Sequence, residues 1–259
     1  MALNPLKRSE EVRKVVVKNV GGTELRKYYR FRPSRFYGGS AVADSLGCNL
    51  ACGFCWSWRA NTAMDRIGTF YTPREVAERL ISIAKRCGYR IARISGGEPT
   101  LSMNHLVKVL EHLEEMGFRG TFVLETNGIL LGHDPSYAKA LSRFRFLHVR
   151  VSIKGCNEKE FSIITGADPK FFEYQLKALK NLLDAGVSTH PAVVVSFCSR
   201  ESLVELYNRL MEIEPELAHG MEEEYVILYP HVVELMRRRG LRPRVAWDPR
   251  RNAWVGEEV

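Results

Sequence analysis

Apolar positions along the chain follow two rhythms, short runs rich in Val, Ile and Ala and longer stretches at helical spacing, and the two interleave from residue 40 onward. Ser40-Ala-Val-Ala-Asp-Ser-Leu46 reads as the first strand. Thr72-Pro73, with Glu75 three residues past Thr72, has capping-box spacing and opens a helix through Val76, Leu80 and Ile83 that stops near Gly88. Ile91-Ala-Arg-Ile94 is the second strand. The unit then recurs: Ser102 as cap, Leu106, Val109, Leu110 and Leu113 on one face, Gly117 as the stop, and Thr121–Leu124 as the third strand. A helix over roughly Ser136–Phe144 leads to the strand Leu147–Ile153. Asp168-Pro169 opens a long helix with Phe172, Leu176, Leu179 and Leu183, followed by the strand Pro191–Phe197 and a helix over about Glu201–Glu212. Tyr225–Tyr229 is read as the sixth strand, and Pro230 leads into a helix over Val232–Arg239.

Strands alternating with helices imply parallel pairing through right-handed crossovers. Six units predict an α/β fold, a partial (β/α)6 TIM-like barrel, with a doubly wound open sheet as runner-up. The expected organisation is a basic N-terminal extension over 1–40, the barrel over 41–240 and a C-terminal tail over 241–259. In that tail Val245–Trp247 and Ala253–Val255 flank a turn-rich segment and are candidates for a hairpin.

A chain of 259 residues with 45% hydrophobic positions is long enough for one barrel-sized core. No apolar run approaches the ~20 residues needed to span a bilayer, and Met1-Ala-Leu-Asn-Pro5 lacks the apolar core of a signal peptide. The expectation is a cytoplasmic protein with no membrane partner. A formal charge of +8 favours anionic partners, or equally a highly charged surface with no nucleic-acid role. The cluster Arg26-Lys-Tyr-Tyr-Arg-Phe-Arg-Pro-Ser-Arg-Phe-Tyr37 suits either RNA contact or an arm that packs its rings inward and leaves its arginines in water.

The candidate chemistry lies directly after the predicted strands, where barrels assemble their sites. Cys48, Cys52 and Cys55 follow the first strand, and three soft thiolates are ligands for iron–sulfur clusters or zinc. Three ligands leave one coordination position open, whereas structural zinc takes four, so a zinc reading needs a distant His105 or His133. Ser95-Gly-Gly-Glu-Pro99 follows the second strand, Glu125-Thr-Asn-Gly128 the third, and Ser152-Ile-Lys154 ends the fourth. Cys156 and Cys198 fall just past strand ends as free thiols, and Tyr229 and His231 follow the sixth strand; Cys156, Cys198 and Tyr229 are the weak catalytic candidates.

Cys48-x3-Cys52-x2-Cys55, with Phe54 before the last cysteine and Gly96-Gly97-Glu98-Pro99 about forty residues on, resembles the radical S-adenosylmethionine (SAM) superfamily. The resemblance implies that Cys48, Cys52 and Cys55 bind three irons of a 4Fe-4S cluster, whose fourth iron chelates SAM. It implies reductive cleavage of SAM to methionine and a 5′-deoxyadenosyl radical that abstracts hydrogen from a substrate. Phe54 is then expected near the adenine, Gly96, Gly97 and Glu98 at the methionyl ammonium, and Glu125, Thr126, Asn127, Ser152 and Lys154 in the SAM pocket. Ser152-Ile-Lys154 with Thr165-Gly166 looks like the Asp-x-Lys…Thr-Gly arrangement of glycyl-radical-enzyme activases, with Ser152 in place of the aspartate. The implied partners are a protein, peptide or RNA substrate and a low-potential electron donor such as ferredoxin or flavodoxin. The alternative is a metal-binding or electron-transfer protein without catalysis, which gives the glycine motif no use.

Overall fold

The computed structural model describes residues 2–256, so Met1 and the last three residues of the 241–259 tail lie outside the described residues. The chain opens with α1 (Pro5–Val16), β1 (Val17–Val20) and β2 (Thr23–Ser34), elements that sequence periodicity did not reveal. β1 and β2 form a hairpin, and β2 pairs antiparallel with β3 (Ser40–Ser45). Past the cysteine loop come α2 (Trp58–Thr62) and β4 (Thr69–Tyr71), the latter added antiparallel to β2, where the sequence suggested loop throughout.

α3 (Pro73–Cys87) carries the expected capping box between Thr72 and Glu75. β5 (Ile91–Ser95), α4 (Met103–Glu115) and β6 (Thr121–Thr126) follow. Ser102 does not cap α4; its hydroxyl bonds the Glu24 carboxylate, and a 3-10 turn over Pro99–Ser102 precedes the helix. α5 (Ile129–His133) and α6 (Pro135–Leu141) lead to β7 (Leu147–Ile153), which has its expected bounds. Next are α7 (Glu158–Thr165), not foreseen, then α8 (Phe172–Asp184), β8 (Thr189–Val194), α9 (Arg200–Ile213) and α10 (Pro215–His219).

The sixth parallel strand is β9 (Glu222–Glu224), N-terminal to the predicted segment. Within that segment β10 (Val226–Ile227) leaves the main sheet to pair with β11 (Val245–Asp248), which forms the expected hairpin with β12 (Ala253–Gly256). The reason is compositional. Glu222 and Glu224 are held to the main sheet by Arg150, while Val226 packs with Val232, Met236 and Ala246 in a separate small core. α11 (Pro230–Arg239) lies between β10 and β11 in the chain.

The main sheet runs β1-β2-β3-β5-β6-β7-β8-β9, the strands from β3 onward all parallel. Strand order follows chain order, which is barrel winding and rules out the reversal that defines a doubly wound sheet. Period-2 alternation sends Ala92, Ile94, Phe122, Leu124, Val149 and Val151 outward into one core with Leu80, Leu106, Leu110 and Leu179 of the helices. Each fully buried Leu contributes on the order of 2 kcal/mol to this layer. The same alternation leaves Asp44, Arg93, Glu125, Arg150 and Ser152 on the concave face.

Candidate active site

The cysteine loop is bolted down by backbone on every side. Ala51 N–H donates to Thr165 O at 3.2 Å and Gly53 N–H to Ile164 O at 2.8 Å, so the C-terminal end of α7 forms a wall behind Cys52. Arg239 of α11 donates to Ala51 O at 2.7 Å, and Arg8 of α1 to Cys48 O at 3.2 Å. Trp58 Nε1–H donates to His231 O at 3.0 Å, while the His231 ring bonds Trp56 O at 2.9 Å. Ile164 and Thr165 thus support the loop through their carbonyls, and His231 through its carbonyl and ring.

The glycine motif lies against this loop. Gly96 sits at φ +90°, and a Cβ there would come within 2.7 Å of Ser45 O. A Cβ on Gly97 would stand 2.3 Å from Gly47 O, so only glycine permits this approach of the two strand ends. Ser57 and Asn61 close the contact, Ser57 Oγ donating to Gly96 O at 2.6 Å and Asn61 Oδ1 accepting from Gly47 N–H at 2.8 Å. Neither residue was singled out from sequence, since Ser and Asn in a loop carry no spacing signal.

Glu98 is buried and fully engaged within the protein. Its Oε1 accepts from Thr100 N–H, Thr100 Oγ1–H and Thr126 Oγ1–H at 3.0, 2.6 and 2.7 Å, and Oε2 accepts from Asn127 N–H at 2.8 Å. The carboxylate therefore ties the end of β5 to the end of β6. Beneath it Arg26 is buried, its guanidinium donating to Glu98 O and Val16 O, both at 3.3 Å, and burial lowers its pKa to about 10. Asn127 donates from Nδ2 to Asn49 Oδ1 at 2.7 Å and to Cys48 Sγ at 3.8 Å. Gln175 of α8, another residue without a sequence signal, donates to Asn127 O and Ser152 O and accepts from Lys154 N–H.

Burial pushes the Cys48 thiol up, and the Cys52 thiol to about 12, so neither ionises at neutral pH without a cation to displace its proton. The three sulfurs do not gather within 4.8 Å of one another. Zinc–sulfur bonds of ~2.3 Å would hold tetrahedral ligands about 3.8 Å apart. Three soft sulfur donors with one position left open suit an iron–sulfur group better than structural zinc, which takes four protein ligands. Nor can His105 be the fourth ligand. Its Nδ1–H donates to Glu24 O at 2.9 Å, and its Nε2 faces Tyr28 Oη at 3.1 Å.

On the concave face the charges compensate one another. Glu125 accepts from Arg93 at 2.6 Å and Tyr37 Oη at 2.8 Å, and Arg150 pairs with Glu222 and Glu224, which also faces Lys154 Nζ at 3.7 Å. Ser152 Oγ contacts Glu224 at 3.4 Å. Lys154 Nζ lies 5.9 Å from the Phe54 ring, which packs on Phe197. Lys154 is therefore a mostly buried ion-paired group, 15% exposed, rather than a rim lysine. The basic aromatic cluster is largely consumed in the sheet: Tyr28 is buried, Lys27 Nζ bonds Met64 O, and Arg30 and Arg32 both bond Asp44.

One sequence expectation changes. Cys156 and Cys198 are not free thiols but a disulfide, because the neighbouring ends of β7 and β8 bring their Cα atoms to 5.8 Å, inside the bridging range. Glu160 reinforces that junction, accepting from Cys156 N–H, Ser199 N–H and Ser202 Oγ–H. Hydrogen donation by either sulfur is excluded while the bond stands. Tyr229 stacks on His231 with ring centroids 5.9 Å apart and is 40% exposed at the start of α11.

A parallel partial barrel carries three thiols and a glycine cradle at the C-terminal ends of its first two parallel strands, the face on which barrel enzymes assemble their sites. The chain belongs to the radical SAM superfamily, whose match covers residues 43–210. Members of that superfamily use a 4Fe-4S cluster and SAM. The chain is 27% identical over 184 residues to the probable GTP 3′,8-cyclase of Saccharolobus islandicus, covering 71% of this chain and 54% of that protein. To the protein of the same description from Methanosarcina acetivorans it is 29% identical over 153 residues, 58% of this chain and 43% of that one. It thus spans about half the length of the curated relatives it matches. Among solved structures, Streptococcus suis SuiB bound to S-adenosylmethionine aligns with TM-score 0.52 and 24% identity, over 67% of this chain and 38% of SuiB. Spore photoproduct lyase complexed with a dinucleoside spore photoproduct aligns with TM-score 0.54 and 14% identity, over 85% of this chain and 68% of that one. At these identities the structures share the fold.

Proposed function

We propose that the protein is a radical SAM enzyme in which Cys48, Cys52 and Cys55 hold the 4Fe-4S cluster and the adjoining strand ends hold SAM. The observation that carries this reading is the Gly97–Gly47 approach, which no larger residue permits and which, with Asn127 beside Cys48, sets the glycine motif against the loop of Cys48, Cys52 and Cys55. When bound, a reduced cluster supplies the electron that cleaves the carbon–sulfur bond of SAM and so starts hydrogen abstraction from the substrate. The protein's own part is positional. Gly96 and Gly97 bring backbone to the rim, and Glu98 fixes Thr126 and Asn127 in place. Phe54 offers an apolar face above Lys154, while Lys154, Glu125 and Ser152 present charge and hydrogen-bonding groups to the concave side. A low-potential ferredoxin or flavodoxin is the fitting electron source. Among the described residues no helix is long and apolar enough to cross a membrane.

Of the two substrate classes, polypeptide and RNA, the RNA reading loses part of its support, because Tyr28 is buried and Arg30 and Arg32 bond Asp44, while Arg35, Phe36 and Tyr37 stay exposed. The reading is tested by anaerobic iron–sulfide reconstitution, reduction with SAM present and measurement of 5′-deoxyadenosine. Cys52→Ala is expected to lose the cluster's absorbance and 5′-deoxyadenosine together, and a variant that kept both would remove Cys52 from the ligand set. Stoichiometric zinc with no SAM cleavage in the wild type would overturn the assignment.

A further inference from the structure

Asn49, inside the cysteine loop, and Asn127, at the end of β6, meet as a pair of amides. Asn127 Oδ1 accepts the Ile129 N–H at 3.1 Å, which sets the direction of its amide. Its Nδ2 consequently faces Asn49 Oδ1 at 2.7 Å. With its oxygen so occupied, Asn49 presents Nδ2 to the other side. Asn49 is fully buried, and that Nδ2 has no hydrogen-bond partner. A buried amide left without an acceptor costs about 1–3 kcal/mol. The same amide group carries an oxygen 3.9 Å from Cys48 Sγ, so the orphaned donor belongs to the immediate surroundings of the thiols.

We infer that Asn49 Nδ2 donates a hydrogen bond to sulfur of the cluster held by Cys48, Cys52 and Cys55, its amide held in register by Asn127, and thereby raises the cluster's reduction potential. The inference rests on the cluster assignment made above. Thiolate and sulfide sulfurs are the acceptors that such a group supplies, and they answer a buried side-chain donor of the loop that has no partner among the described residues. Adding an electron increases the negative charge on those sulfurs, so an N–H donor stabilises the reduced form more than the oxidised one. Burial strengthens the effect, since no water competes for the donor.

The test is an EPR-monitored redox titration of the anaerobically reconstituted full chain without SAM, comparing wild type with Asn49→Leu, after iron and sulfide have been quantified. Asn49→Leu is expected to load iron and titrate at a more negative midpoint. The reduced-to-oxidised ratio at fixed potential should fall about tenfold, equivalent to about 59 mV for one electron. An unchanged midpoint overturns the inference, as does an unchanged midpoint with weakened SAM binding, which would give the donor to SAM instead. Failure of the wild type to load a cluster sinks the underlying functional reading, so the two failures are distinguishable. Should Asn49→Leu not load, electron–nuclear double resonance on wild type labelled with 15N-asparagine decides. A coupled side-chain nitrogen in the wild type that is lost in Asn49→Ser supports the inference, and no coupled nitrogen, or an unchanged set in that variant, overturns it.

Discussion

Glu98 shows how a single carboxylate organises the site without facing solvent. Four donors from Thr100, Thr126 and Asn127 converge on it, and in either orientation Glu98→Gln turns its amide NH2 toward a backbone N–H that cannot accept, that of Thr100 or of Asn127. A loss of about 2–3 kcal/mol is expected, read as a lower urea midpoint at unchanged m. His105 supplies a pH signature. Burial lowers its pKa to about 4 from the ordinary 6.5, so the unfolded chain takes up the proton first. Stability from this group is complete above pH 6.5 and is lost as pH falls towards 4. The loss is about 3 kcal/mol at most. Urea denaturation at pH 7 and pH 4.5 should show it, and His105→Asn should flatten that pH dependence. At this scale the sequence exposed the residues with unusual spacing, the three cysteines and the two glycines. It did not expose Ser57, Asn61 or Gln175, because a hydrogen bond between residues far apart in the chain leaves no periodic trace. Nor did it show that Cys156 and Cys198 are bonded, which depends on β7 and β8 being neighbours.

Whole elements act as braces. α7 backs the cysteine loop with the Ile164 and Thr165 carbonyls, and α11 reaches it through Arg239 and His231. α3, by contrast, packs on the outer face of the sheet through Val76, Leu80 and Ile83. Weakening the two helices should therefore have different consequences. Thr72→Ala, which removes the α3 cap, is expected to cost about 1 kcal/mol and leave iron loading unchanged. Arg239→Ala should barely move stability yet reduce iron bound per chain on reconstitution, and equal iron in both variants would count against the bracing role. α3 was legible from its capping box and apolar stripe. α7 was not, being short and carrying only Phe161 and Ile164 into the core as large apolar residues.

At the scale of the molecule, the succession of strand and helix patterns was enough to anticipate sequential parallel winding, because each crossover has one allowed hand. The N-terminal hairpin escaped detection since β2 is rich in Arg, Lys and Tyr, whose burial and pairing with Asp44 arise from the assembled sheet. The sixth strand was misplaced for a related reason: Glu222-Glu-Glu224 has no apolar residue, and its place beside β8 depends on Arg150. The cysteines divide accordingly into one bonded pair and four thiols, Cys48, Cys52, Cys55 and Cys87. Alkylation of the metal-free, denatured chain followed by mass spectrometry should label those four before reduction, and Cys156 and Cys198 only afterwards.

The bracing of the cysteine loop by α11 also bears on how the protein is made. Cys48, Cys52 and Cys55 leave the ribosome early, whereas His231 and Arg239 emerge only after the barrel strands between them have been synthesised. At ~5–20 residues per second that interval is on the order of ten seconds or more, during which the nascent thiols stand without their final support. A chain stalled before α11 would emerge with Cys48, Cys52 and Cys55 present but without the contacts that Arg239 and His231 make to their loop.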